Sequence, residues 1–171
     1  MERYMDVEAR FLHADTLIER GEVAEAKAIL EEILQDEPDY GRAHNHLGWI
    51  IRTRFSDFDK AEYHMRLAVK FAPEYPGAHF NYARILMEIG AYDKLIDVAQ
   101  NALKVKGIEK AYLYHFLAVG KEMTVGPQEA IKYLKRARDE ALSEEFTTFI
   151  NSELRRVKSK MTTLSRIAIM F

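Results

Sequence analysis

Apolar residues recur every three to four positions along almost the whole chain, and the strict alternation of a half-buried strand is absent. Ala24, Ala28, Ile29, Ile33 and Leu34 fall on one stripe of a helix, as do Leu67, Ala68 and Phe71. Helix breakers interrupt the pattern at regular intervals: Gly21, Pro38-Asp39, Ser56-Asp57, Pro73 with Pro76-Gly77, Gly90, Gly107 and Gly126-Pro127. They divide the chain into about nine helices of roughly 12 to 18 residues, the last one longer. The pattern predicts an all-α fold.

The spacing of the breakers adds a second layer. Four segments superpose, about 7–40, 41–75, 76–109 and 111–144, with a period of 34 or 35 residues. Each reads helix, tight turn, helix, break. A fixed period in this range marks a repeat architecture, in which each hairpin buries its apolar face only against its neighbours. Gly48, Ala83 and Ala118 fall where the paired helices approach most closely, and Ala26, Ala61 and Ala130 do the same in the second helices.

In the third segment His79 is followed by Tyr82, Ala83 and Leu86, then turn Gly90 and Tyr92, with Leu95, Ala99 and Ala102 on the second helix. The second offers His44, Leu47-Gly48 and Ile51, then Phe58, Ala61, Met65, Ala68 and Pro73, with one extra residue between Arg52 and Asp57. The first has Ala14, Leu17, Gly21, Ala26, Leu30 and Pro38; the fourth has Tyr114, Leu117-Ala118, Ala130, Leu134 and Ala137. These residues resemble the tetratricopeptide repeat, W-x2-L-G-x2-Y followed by A-x3-F and P. The chain departs from that pattern where His44 and His79 replace Trp, Leu95 replaces Ala and Gly107 replaces the closing Pro.

The resemblance implies a right-handed superhelix of about four such hairpins over residues 1–144, closed by a C-terminal capping or dimerisation helix over 145–171. It also implies a trough walled by the first helix of each repeat, in which a peptide or partner protein lies. Carried onto this sequence, that wall is Phe11 and Asp15, then Arg42, Asn45, Trp49 and Arg52, then Phe80, Arg84 and Met87, then Tyr112, His115 and Val119. Positions 45, 49 and 52, like 80, 84 and 87, share one helix face. Trp49 is the only tryptophan, and Trp and Arg dominate binding hot spots. Arg42, Arg52 and Arg84 suit bidentate pairing with a carboxylate or phosphate. Phe11 and Asp15 stand where the first Lys and Asn of the carboxylate-clamp tetratricopeptide proteins would be, which speaks against the chaperone C-termini those proteins bind.

Beyond the repeats, Phe146, Phe149 and Ile150 suit a cap over the last apolar face. Ile150, Leu154, Val157, Met161, Leu164, Ala168 and Phe171 step alternately by four and three, a seam of three heptads. Three roles fit that helix: a cap folded back on the array, a pairing surface for a second copy, or a basic amphipathic surface helix.

Composition narrows the function classes. The 171 residues are 48% apolar and 30% charged, with no Cys, which removes disulfide scaffolds, thiol nucleophiles and thiolate metal sites. Charge is lopsided along the chain: residues 1–40 hold 12 acids and 4 bases, whereas residues 151–171 hold one acid and five bases. The overall balance of −2 implies neither nucleic acid nor a membrane surface as partner. The charged N-terminal stretch and the lack of a long apolar run point to a cytoplasmic protein. P-loop, H-E-x-x-H, G-x-S-x-G and G-x-G-x-x-G motifs are all missing. His44 and His46 are about 200° apart round a helix, too far to grip one ion. The expectation is therefore a non-enzymatic interaction module, adaptor or chaperone-like, with no cofactor and no metal. The alternative is a self-associating scaffold, a homodimer through the C-terminal seam.

Overall fold

A computed structural model of the chain describes the backbone of residues 2–161 and the side chains of residues 6–161. In order, the described elements are α1 (Glu2–Arg20), α2 (Val23–Asp36), α3 (Gly41–Ile50), α4 (Phe58–Phe71), α5 (Pro76–Glu88), α6 (Tyr92–Ala102), α7 (Lys110–Thr124), α8 (Pro127–Asp139) and α9 (Glu144–Ser159). No strand occurs among the described residues. The all-α helical-repeat fold follows from the three-to-four spacing of apolar residues, because one stripe per helix must be covered by another helix. The chain divides into two compact units, residues 1–85 and 86–171.

In the first unit α1 packs on α2, α2 on α3, and α3 on α4. Ala26, Leu30 and Ile33 of α2 and Ala61, Met65 and Ala68 of α4 are fully buried. The small residue expected at the α3–α4 crossing has a steric cause: a Cβ on Gly48 would stand 2.9 Å from Met65 Cγ and 3.2 Å from the Ala61 carbonyl oxygen. His44 and His79 take the place of a bulky aromatic, and both are buried. Each ties its helix to the loop before it, through Nε2 to the carbonyl oxygens of Pro38 (2.9 Å) and Pro73 (2.7 Å).

The extra residue between Arg52 and Asp57 is absorbed inside a helix. Residues Ile51–Phe55 form a π-helical turn that continues α3, the conformation in which one inserted residue is accommodated without breaking the helix. Ser56 follows in the left-handed region (φ 52°), where the equivalent turn of the next repeat carries Gly90 (φ 73°). Asp57 then caps α4, its carboxylate accepting from the Lys60 amide at 3.2 Å. The turn pushes Phe55 outward, 60% exposed.

In the second unit α6 packs on α7, α7 on α8 and α8 on α9. Ile150, Leu154, Val157 and Met161 join Ala118, Ala130, Ile131, Leu134 and Ala137 in one buried cluster. Of the roles open to that helix, this burial favours the cap for the seam's first half, which is covered within the chain and not left for a second copy. Leu164, Ala168 and Phe171, the rest of the seam, lie outside the described residues. Nor does the helix run unbroken through the seam. It ends at Ser159, where the Lys160 and Met161 amides turn back to the carbonyls of Val157 and Lys158.

Candidate functional site

The first unit carries a cleft of about 260 Å³ walled by Trp49, Asn45 and His46 of α3, Asn81 of α5, Ile18 of α1 and Tyr75. Helical spacing brings Asn45 and Trp49 onto one face, while the loop before α5 supplies Tyr75. Asn45 is buried, 4% exposed, and its Oδ1 accepts from Asn81 Nδ2 at 2.9 Å. His46 lies between two acceptors, Asp15 Oδ1 3.0 Å from Nε2 and the Arg42 carbonyl oxygen 3.0 Å from Nδ1, and its tautomer decides to which it donates. Burial raises the Tyr75 hydroxyl above its ordinary pKa, so it stays a neutral donor at the cleft. The result is an apolar wall of indole and phenol beside two amide groups and an imidazole, a surface suited to one apolar side chain flanked by peptide hydrogen bonds.

One layer below, Phe11 is 1% exposed, its ring edge-on to His46 at 4.8 Å and tilted against Tyr40 at 5.5 Å. The Arg42 guanidinium lies 4.2 Å over the Phe11 ring, and Nη1 donates to Glu8 Oε1 at 2.8 Å. Tyr40 donates to the other Glu8 oxygen. The Tyr40 hydroxyl and the Arg42 charge hold the Glu8 carboxyl below its ordinary pKa.

One sequence expectation is corrected here. Phe11 does not wall the cleft, because its ring is enclosed by Tyr40, His46 and Arg42. Arg42 is engaged by Glu8 through Nη1, with its side chain still 39% exposed. Of the remaining first-unit positions, Asn45 and Trp49 line the cleft, Asp15 stands behind His46, Arg52 and Phe80 are half-buried and Arg84 is exposed. Sequence reasoning missed Ile18, His46, Tyr75 and Asn81. A signal existed for two of them: His46 and Asn81 lie 35 residues apart, the same register as His44 and His79.

In the second unit Met87 and Val119 are half-buried. Rings of α9 pack on half-buried Tyr112 and His115. Tyr112 lies tilted against Phe146 at 4.3 Å, and His115 meets Phe149 edge-on at 5.1 Å. Burial pushes the His115 imidazole below its ordinary pKa. At the far end of α9, Arg156 donates to both Glu122 oxygens (2.9 and 2.7 Å) and Lys160 adds a third bond at 2.8 Å. The Glu122 side chain is only 8% exposed, and Arg156 holds its carboxyl below the ordinary range. Two of the tail's five bases are thereby used to clamp α9.

The sequence profile of the tetratricopeptide repeat matches residues 11–76, the stretch that supplies the cleft residues from Ile18 to Tyr75. Residues 11–76 belong to the tetratricopeptide repeat family. Solved structures extend the likeness of fold to most of the chain. The pilF protein of Pseudomonas aeruginosa superposes with a TM-score of 0.74 at 17% identity, over 91% of this chain and 72% of that one. MamA from Desulfovibrio magneticus RS-1 gives 0.69 at 16% identity, over 90% and 88%. An O-GlcNAc transferase of Thermobaculum terrenum gives 0.67 at 19% identity, over 81% of this chain but 27% of that one. At such identities the likeness concerns the fold alone. No curated protein matches the sequence. The tetratricopeptide fold implies a protein–protein interaction module, and no described helix is long and apolar enough to cross a membrane.

Proposed function

We propose that the chain is a non-enzymatic adaptor or chaperone-like module that holds an extended, apolar segment of a partner protein in the cleft beside Trp49. The observation that carries this reading is the cleft itself, where an indole and a phenol stand beside the Asn45–Asn81 amide pair and the His46 imidazole. Fixed amides at a water-accessible wall can bond a peptide backbone without being reorganised, and a half-buried Trp supplies most of the contact area. With Arg42 committed to Glu8, the segment's recognition rests on its apolar side chain rather than on a carboxylate.

Trp49 is the only tryptophan, so its emission reports directly on the cleft. Wild type, Trp49→Ala and Asn81→Ala serve as parallel baits against lysate of the source cell, and the partner recovered is then titrated while Trp49 emission is followed. The expected result is a partner retained by wild type, an emission shift on binding, and a loss of roughly 2 kcal/mol or more of affinity for Trp49→Ala. Equal binding by all three baits, each shown to be folded by its urea transition, removes this cleft as the binding site.

A further inference from the structure

A larger cleft, about 520 Å³, opens elsewhere on the first unit, and nothing in the function proposed above uses it. Val23 and Ala24 at the start of α2 form its floor, and Phe55, displaced by the π-helical turn, stands 60% exposed at its wall. Two carboxylates, Glu22 and Glu25, line it. Arg54 also lines it, while Lys27, 5.9 Å from the Phe55 ring, is paired with Glu31. An exposed aromatic beside Val23 and Ala24, with two carboxylates against one guanidinium, fits a segment that is apolar and carries a base.

The chain contains such a segment. Residues 162–171 include Leu164, Ile167, Ile169, Met170 and Phe171, with Arg166 and no acid. It follows directly on α9, where Arg155 and Lys158 are exposed while Arg156 and Lys160 are held by Glu122. The charges of the two regions are opposite as well, since residues 1–40 hold eight more acids than bases and residues 151–171 four more bases than acids. Ten residues extend up to about 35 Å, long enough to leave the docked helix and enter a cleft on another molecule. The opposite charges of the two ends favour a contact between the tail of one copy and the head of another.

We infer that the cleft over Val23, Ala24 and Phe55 receives residues 162–171 of a second copy, joining molecules head to tail. Such a contact is heterologous: each molecule offers one cleft and one segment, so association continues past the dimer.

Sedimentation of the full chain over a dilution series tests this, with Phe55→Ser and Ile169→Asp as variants. Wild type is expected to gain mass beyond a dimer as concentration rises, and to lose that association in high salt. Each variant alone is expected to remain monomeric. Mixed in equal amounts, they form a heterodimer that grows no further, because one intact cleft meets one intact segment. A charge exchange checks the pairing without removing any apolar contact: Glu25→Lys and Arg166→Glu each weaken the association, and mixing them restores it. A wild type that stays monomeric throughout overturns the inference. So do variants that associate like wild type, or a mixture that gains no heterodimer.

Discussion

His44 and His64 meet Nδ1 to Nδ1 at 2.9 Å between α3 and α4. The Pro38 carbonyl can only accept, so His44 carries its proton on Nε2 and its Nδ1 accepts from His64. Burial lowers both pKa values, and the neighbouring His44 charge adds to the effect at His64, which falls to about 4. The folded state therefore resists protonation more than the unfolded chain, whose histidines titrate near 6.5. This contribution is complete above that pH and is lost as the pH falls toward 4. We expect His64 to account for about 2 kcal/mol of that loss, after allowing for the solvent that reaches its half-buried ring. Urea midpoints measured between pH 7 and 4 should fall for wild type and fall less for His64→Gln. Single residues were unevenly legible in the sequence. Trp49 was readable from its uniqueness and its place after Gly48. The capture of Arg42 by Glu8 was not, because it joins residues 34 apart through a contact that only the packed helices create.

At the level of the element, α9 shows what a stripe can and cannot say. Ile150, Leu154, Val157 and Met161 were visible as one apolar face, but periodicity does not name the neighbour that covers it. The neighbours are α7 and α8. The opposite face is polar and exposed at Thr148, Asn151, Ser152 and Arg155, as suits a helix that caps a repeat. Ile150→Ala should cost about 2–5 kcal/mol, read from urea unfolding, because the side chain is fully buried. Glu122→Gln should loosen the same helix, with the deficit largest at low salt, since it removes the charge that Arg156 and Lys160 share. The Glu122 pKa is depressed, so its contribution is present above the ordinary carboxylate range and is lost on further acidification. Acid should therefore weaken the α3–α4 hairpin first and the α9 clamp at lower pH.

Over the whole molecule, the period of 34 to 35 residues foretold the hairpins because each repeat solves the same local packing problem. It did not foretell which clefts stay open, since these depend on loops and on the one insertion. The repeat logic also predicts the effect of shortening. A chain ending at residue 143 should lose more helical ellipticity than the 16 residues of α9 account for, because Ala118, Ile131 and Leu134 would face water. Circular dichroism of that truncation against the full chain measures the difference. The π-helical turn at Ile51–Phe55 has a consequence of another kind. An added residue inside an α-helix turns everything beyond it by about 100°, which would carry each later side chain off its face. Here the slip is taken up within one turn, beside a loop, and the next repeat resumes in step. A repeat protein can thus change length in mid-helix and keep its rhythm, turning a copying error of one codon into a new exposed aromatic rather than a broken fold.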